Sequence, residues 1–152
     1  MKHSGFYGIK TANDLLAKAK RDYDKLKSEH SNIDLAFNFF VTIEHMPDWL
    51  KMDRQQKKSI KNNSHVLRVC SHLASGIKHF EPFDDYNSVK STQADSVYEE
   101  GIYEESVYDR WLTINLDGDE INKFQKNHVT AVELGEMVIS YWDNYINDNN
   151  KA

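Results

Sequence analysis

The sequence contains few of the residue types and apolar segments that characterise several classes of protein. It holds one cysteine in 152 residues, which excludes an internal disulfide and a zinc site built from several thiolates. Two prolines, six glycines and 12% aromatic residues exclude a collagen-like or disordered chain. No apolar run approaches the roughly 20 residues of a membrane-spanning helix, and the N-terminal residues lack the apolar core of a signal peptide. We therefore expect a cytoplasmic protein with no membrane partner.

Charge is distributed unevenly along the sequence. The net charge is -5, but residues 81–120 contain twelve acidic and two basic residues, for a charge of -10. Residues 1–80 contain fourteen basic and eight acidic residues, for a charge of +6. The negative charge of the acidic stretch repels nucleic acid, whereas the net positive charge of the first eighty residues is compatible with binding it.

Helix-starting signals occur at three places where a hydroxyl residue is followed three positions later by an acid, the pattern of a capping box. These pairs are Thr11 with Asp14, Ser31 with Asp34, and Thr130 with Glu133. Apolar residues at helical spacing predict helices over about 12–28, 32–46, 65–80 and 131–147. Pro47 is expected to bend or end the second helix because it lacks a backbone donor.

A different pattern separates the third and fourth predicted helices. Apolar residues alternate with other residues at Leu112, Ile114 and Leu116, and the turn sequence Asp117-Gly118 follows. Residues 121–124 are then expected to form the second strand, so this pattern predicts a β-hairpin. The predicted fold is α+β and mainly α: an antiparallel bundle of four main helices with a β-hairpin and an acidic loop inserted before the last helix. We expect one domain over 1–152, with a helical core at 11–80 and 129–147 and the insertion at 81–127.

A short repeat of period five precedes the predicted hairpin. Its units are Ser96-Val-Tyr-Glu-Glu, Gly101-Ile-Tyr-Glu-Glu and Ser106-Val-Tyr-Asp-Arg. One interpretation is a soluble surface loop anchored by Tyr98, Tyr103 and Tyr108. The other is that residues 81–110 form an arm that binds a basic protein partner or a second copy of the chain, with the tyrosines as anchors.

Polar side chains form a stripe on the third predicted helix. At 100° per residue, five residues fall within about 80° of the helix circumference. They are His65, Arg68, His72, Gly76 and His79. Glycine in the middle of this face would let a backbone or a ligand approach closely.

The second predicted helix offers partners for that stripe, because His45 and Asp48 stand three residues apart. We expect His72 and His79 to be more than half buried and to face this helix near His45. Three hypotheses remain open: a metal-free functional cluster; a structural hydrogen-bonding cluster or plain surface; and a zinc, manganese or iron site formed by His45, Asp48, His72 and His79. Cys70 lies on the apolar side of its helix, which favours a core residue over a nucleophile.

These residues also carry a resemblance. The strings Phe37-Asn-Phe-Phe-Val-Thr-Ile-Glu-His-Met-Pro-Asp-Trp49 and Val69-Cys-Ser-His-Leu-Ala-Ser-Gly-Ile-Lys-His-Phe80 resemble paired signatures of a group of small helical proteins from bacteria and prophages. The helical pattern is more remotely similar to the HEPN superfamily, many of whose members are RNases in toxin–antitoxin and phage-defence systems. Those enzymes carry an Arg and a His separated by four to six residues, whereas Arg68 and His72 have three residues between them.

Two hypotheses for function follow. In the first, the protein is HEPN-like and binds or acts on RNA or a nucleotide, in bacterial or phage defence. Its candidate catalytic residues are Arg68, His72, His79, His45 and Asp48, with the last two as acid–base or orienting groups. In the second, it is a non-enzymatic homodimeric interaction protein that uses the acidic tyrosine-repeat arm. No cofactor is assigned by either hypothesis.

Overall fold

The computed structural model describes residues 3–79, 88–96 and 110–150. The helices are α1 (Ala12–Ser28), α2 (Ile33–Glu44), α3 (Met46–Trp49), α4 (Arg54–Asn63), α5 (His65–His79), α6 (Asp119–Phe124) and α7 (Ala131–Asn150). The strands are β1 (Val89–Ser96), β2 (Arg110–Leu116) and β3 (His128–Thr130). The fold is therefore α+β and mainly α, as predicted.

Two of the three predicted capping boxes are present. The Thr11 side chain accepts from the backbone N of Asp14, whose carboxylate accepts from the backbone N of Thr11. Thr130 and Glu133 form the same reciprocal pair at the start of α7, with both distances 3.1 Å. Because each box satisfies two backbone donors that a helix start leaves free, it fixes where the helix begins.

The predicted cap at Ser31 is wrong by one residue. Asn32 is the N-cap of α2, and its side-chain oxygen accepts from the backbone N of Leu35 at 3.2 Å. Asparagine is as good a cap as serine, so the hydroxyl pattern alone could not separate the two positions. Pro47 acts as predicted: α2 ends at Glu44, and the proline stands in the first turn of the short helix α3.

Helix α4 was not among the four predicted main helices. It starts at a capping box formed by Asp53 and Gln56, whose residue types differ from the hydroxyl–acid pairs used for prediction. None of its side chains is buried, and Ile60 alone among its residues is a hydrophobic packed against the core. A helix with one apolar contact has no apolar stripe of several residues from which to predict it.

The sheet has the order β1-β2-β3, and both neighbouring pairs are antiparallel. Strand β2 confirms the predicted alternation, but the predicted return strand at 121–124 is wrong, because these residues lie in α6. Gly118 adopts a φ of 57° as the turn requires. Ile121 and Phe124 are three residues apart and both pack on the core, a spacing that suits a helix. The return strand is β3.

One hydrophobic cluster joins the helices to the sheet. The predicted stripe of α1 is buried, as are most predicted positions of α2 and α7. On α2 the exception is Ile33, which is 63% exposed, and Phe39, which lay outside the predicted stripe, is fully buried. Buried core residues from these elements include Leu16, Ala19, Tyr23, Leu26, Phe40, Ile43, Ile114, Leu134, Val138 and Trp142.

Within the described part of the chain, no helix is both long enough and apolar enough to cross a bilayer. Residues 80–87 and 97–109 lie outside that part. Most of the predicted arm at 81–110, including Tyr98, Tyr103 and Tyr108, belongs to these two segments, so the arm stays a prediction.

Candidate functional site

Arg68 is a buried residue at the junction of three helices. Its Nε donates to Oε1 of Glu120 in α6 at 2.7 Å. Its Nη1 donates to the backbone oxygens of Lys61 and Asn62 at 3.2 and 2.8 Å. The last carbonyl groups of a helix lack partners within the helix, so the Arg68 guanidinium caps the C-terminus of α4. These contacts make Arg68 a link between α4, α5 and α6.

His72, one turn further along α5, is half-buried and faces the start of β1. Its Nδ1 accepts from the backbone N of Ser88 at 3.2 Å and of Val89 at 3.1 Å. A ring nitrogen that accepts hydrogen bonds carries no proton, so we assign the proton of neutral His72 to Nε2. The Ser88 hydroxyl also donates to Glu120 at 3.4 Å, which connects His72 to the pair of Arg68 and Glu120.

His45 and Asp48 form a separate pair at the surface. His45 Nδ1 lies 3.5 Å from Asp48 Oδ2, and both side chains are 55% exposed. Lys57 of α4 donates to the other carboxylate oxygen. This hydrogen bond is the main reason why the pKa of Asp48 lies below its ordinary value, with a smaller contribution from His45.

The remaining residues of the stripe lie towards the end of α5, where Gly76 is half-buried and His79 is exposed. The predicted site residues therefore occupy different surroundings: Arg68 beside α6, His72 beside β1, and His45 with Asp48 beside α4. In residues 3–79, 88–96 and 110–150, no three His, Cys, Asp or Glu side chains form a group that could hold a metal ion. The metal hypothesis for His45, Asp48, His72 and His79 is thus wrong.

His65, the first residue of the stripe, borders an open groove of about 700 Å³. The groove lies between the start of α5 and the exposed side of α7, and Lys126 lies at its edge. The His65 ring contacts Phe124 edge-on, with centroids 4.7 Å apart. Burial lowers the pKa of His65, an effect that Glu120 partly opposes and that Lys123 and Arg68 reinforce. The imidazole is therefore neutral at pH 7 and offers both a donor and an acceptor.

The α7 side of the groove supplies an aromatic ring and two carboxylates, from Tyr141, Glu133 and Glu136. Tyr141 is half-buried and its pKa is raised, chiefly by burial. Burial also raises the pKa of Glu133, but hydrogen bonds from the Thr130 backbone and from Lys126 outweigh it and leave that pKa below its ordinary value. Lys126 lies 3.0 Å from Glu133. The groove thus combines an aromatic ring with hydrogen-bond donors and acceptors, as small-molecule sites do.

The groove adjoins a basic helix, because α4 ends at Asn63 and this residue lines the groove. Helix α4 holds four basic residues and no acidic one. They are Arg54, Lys57, Lys58 and Lys61, at the i, i+3, i+4 and i+7 spacing that places them on one face. Lys57 pairs with Asp48, and Lys61 pairs with Glu44 at 3.2 Å.

The two other cations of this face, Arg54 and Lys58, are exposed. In the described part of the chain neither has an acidic partner. We call the four cations the basic face of α4. Sequence reasoning missed this face and the groove residues Lys126 and Tyr141 as functional candidates. The spacing of 54, 57, 58 and 61 was a readable signal, whereas the groove joins positions more than sixty residues apart.

Cys70 is not placed for nucleophilic chemistry. It is 1% exposed in the core, and burial raises its pKa well above the ordinary value. A thiol in such surroundings stays protonated and unreactive. This confirms its assignment to the core.

Comparison with protein-family models, with curated proteins and with solved structures finds no match to this chain.

Proposed function

We propose that this protein binds RNA or a nucleotide at the groove beside α5 and along the basic face of α4. The observation that carries the proposal is the junction of these two features at Asn63. Phosphates lie along Arg54 and Lys58, whose charges have no acidic partner in the described part of the chain. A base stacks on Tyr141, since a ring face accepts any base.

The acidic residues of the groove fit the base rather than the phosphate. Lys126 is paired with Glu133, and Glu136 is exposed on the same side of α7. A carboxylate accepts hydrogen bonds from the N–H groups of a base and repels phosphate. The charges therefore favour a ligand with its base in the groove and its phosphates along α4. The resemblance to HEPN proteins supports the same class of ligand.

The test is fluorescence anisotropy with a labelled single-stranded RNA oligonucleotide at several salt concentrations. The double variant Arg54→Ala with Lys58→Ala should weaken binding. It should also make the slope of the logarithm of the binding constant against the logarithm of salt concentration shallower by about 1.4, the value for two phosphate contacts on a single strand. The matched control is Lys10→Ala with Lys25→Ala, which removes two exposed cations of other segments. Equal losses in both double variants, or no binding at low salt, would contradict the proposal.

The groove is tested separately by Tyr141→Leu, which keeps apolar bulk but removes the ring. Stacking of one base contributes about 1–3 kcal/mol, so affinity should fall by a factor of about 5 to 150. The control is Tyr7→Leu, because Tyr7 is an exposed tyrosine near the N-terminus. If both variants bind equally well, the base does not lie in this groove.

Catalysis by Arg68, His72, His79, His45 and Asp48 stays a prediction. Arg68 and His72 already bind protein groups, which favours binding of RNA over its cleavage. Incubating the labelled RNA with the protein and resolving its length decides between them. Shortening of the RNA that His72→Asn and His45→Asn both abolish would support the catalytic hypothesis.

The second candidate function, an interaction protein with an acidic arm, rests on charge. Residues 81–110 hold nine acids and two bases, and the basic face of α4 offers a complementary surface. Changing Tyr98, Tyr103 and Tyr108 together to Ser should lower the melting temperature or dissociate an oligomer, with a larger effect in high salt where charge attraction is screened. An unchanged melting temperature and mass would leave the repeat a solubilising loop.

A further inference from the structure

The basic face of α4 leads away from the groove. Asn63, the last residue of α4, lines the groove, whereas Lys58 and Arg54 stand five and nine residues earlier. A helix rises about 1.5 Å per residue, so the Cα atoms of Lys58 and Arg54 lie about 7.5 and about 13.5 Å from that of Asn63 along the axis. Side chains of a helix lean towards its N-terminus, which takes both cations further from the groove. Arg54 is therefore the more distant of the two.

Lys58 and Arg54 carry charges that no carboxylate balances in the described part of the chain, whereas Lys57 and Lys61 are each paired with a carboxylate. Lys58 and Arg54 are exposed and stand one helical turn apart, about 6 Å along the axis. The phosphates of an extended strand are held well apart because a sugar stands between them. The phosphates of a nucleoside triphosphate are joined directly and lie closer together. The spacing of the two cations thus suits one phosphate per nucleotide.

The groove itself disfavours a concentrated negative charge. Glu133 and Glu136 line it, and Lys126 at its edge is already paired with Glu133. Burial lowers the pKa of His65, so its neutral imidazole balances neither carboxylate at pH 7. A nucleoside triphosphate carries several negative charges close to its sugar, and these carboxylates would repel them. An oligonucleotide carries one charge per nucleotide and places most of them beyond the groove.

We propose that the ligand is a single-stranded oligonucleotide of at least three nucleotides, with one base in the groove and the next two phosphates at Lys58 and then Arg54. Three nucleotides are joined by two phosphates, one for each unbalanced cation. The strand is single because a base within a duplex is stacked and paired, and entering the groove would require it to leave the helix. A nucleoside triphosphate in the groove reaches towards Lys58 but stops short of Arg54. This inference rests on the proposed function, since it uses the same groove and the same basic face.

The experiment is isothermal titration calorimetry of the full chain with ATP and with oligoadenylates of one to six nucleotides, at several salt concentrations. Affinity should rise up to three nucleotides and change little beyond. One phosphate contact on a single strand steepens the dependence of log K on log salt by about 0.7, which amounts to about fivefold between about 1 M and about 0.1 M salt. The trinucleotide should therefore bind about fivefold more tightly than the dinucleotide at the lower salt, and more tightly than ATP.

Two single variants assign the phosphates to positions along α4. Arg54→Ala should lower the affinity for the trinucleotide to about that for the dinucleotide and leave dinucleotide binding as it is in the native chain. Lys58→Ala should weaken binding of both, because its phosphate is the one nearer the groove. The matched control, Lys25→Ala, removes an exposed cation of α1 and should change neither affinity. Circular dichroism checks that each variant is folded.

Competition against a labelled hexanucleotide tests strandedness, because a duplex should displace it much more weakly than either of its separate strands. Equal displacement by the duplex would overturn the inference. ATP that binds as tightly as the trinucleotide, together with an Arg54→Ala variant that binds every ligand like the native chain, would also overturn it and would leave a nucleotide site in the groove. Absence of binding by every ligand at low salt would overturn the proposed function and this inference with it.

Discussion

The guanidinium of Arg68 and the carboxylate of Glu120 form an ion pair at 2.7 Å, with side chains that are only 11% and 5% exposed. The two residues are 52 positions apart. The second carboxylate oxygen of Glu120 is buried with no hydrogen-bond partner in the described part of the chain. The charge of Glu120 therefore depends on Arg68 for compensation, and removal of either partner leaves an uncompensated buried charge.

Arg68→Ala should lower the free energy of unfolding by about 3–5 kcal/mol, the usual cost of breaking a buried ion pair. Urea denaturation measures this loss. Lys20→Ala is the matched control, because Lys20 and Asp143 are also 2.7 Å apart but exposed, and such a pair contributes about 0–1 kcal/mol. Similar small losses in both variants would show that Arg68 is not a structural link.

His72→Asn should be tolerated better than His72→Leu. An asparagine oxygen can occupy the position of Nδ1 and accept from the backbone N of Ser88 and Val89, whereas leucine leaves both donors without that partner. A buried donor without a partner costs about 1–3 kcal/mol. Urea denaturation gives the difference in stability, and faster hydrogen exchange at these two amides in His72→Leu alone would locate it. Equal stability of the two variants would contradict the assigned hydrogen bonds.

Gly135→Ala should destabilise the protein although alanine favours a helix over glycine by about 1 kcal/mol. A Cβ at Gly135 would lie 2.9 Å from the Tyr23 ring and 3.2 Å from the Phe39 ring. Both rings are buried in the core, so overpacking should cost about 1–3 kcal/mol. Gly8→Ala is the control, because a Cβ there meets nothing within 4 Å. A rise in melting temperature for Gly135→Ala would show that the rings move aside readily.

Glu133 should contribute stability at neutral pH that is lost in acid. Its pKa is lowered in the folded state by the hydrogen bonds from Thr130 and Lys126. A carboxyl group whose pKa is lower in the folded state than in the unfolded state stabilises the fold at pH values above its unfolded pKa. That stabilisation is lost as the pH falls through the folded pKa. Glu133→Gln should therefore be less stable than the native chain at pH 7, and the difference should shrink below about pH 4. Unfolding measured along a pH series tests this, with Glu136→Gln as the control. A difference that stays constant with pH would contradict it.

Helix α1 illustrates what could be predicted from local sequence. Thr11 and Asp14 define its start, and the spacing of Leu16, Ala19 and Tyr23 defines its buried face. Every interaction in this prediction falls within one short segment. The bounds of α5 were predicted nearly as well, as was the alternation of β2, for the same reason.

Prediction failed where two local signals were equally good or where local signal was weak. Ser31 and Asn32 are both competent caps, and Asn32 is the one that caps α2. Residues 121–124 carry an apolar pattern too short to separate a strand from a helix, and contacts of Ile121 and Phe124 with the core accompany the helical form. Helix α4 buries no side chain, so no stripe of core residues marks it in the sequence.

The sequence alone determined that His65, Arg68 and His72 share one side of a helix, because a helix repeats every 3.6 residues whatever surrounds it. Tertiary structure decided what each of them contacts: Glu120 for Arg68, the start of β1 for His72, and an open groove for His65. Those partners come from segments far along the chain. Their approach depends on how whole helices and strands pack, which the spacing of residues within one helix does not specify.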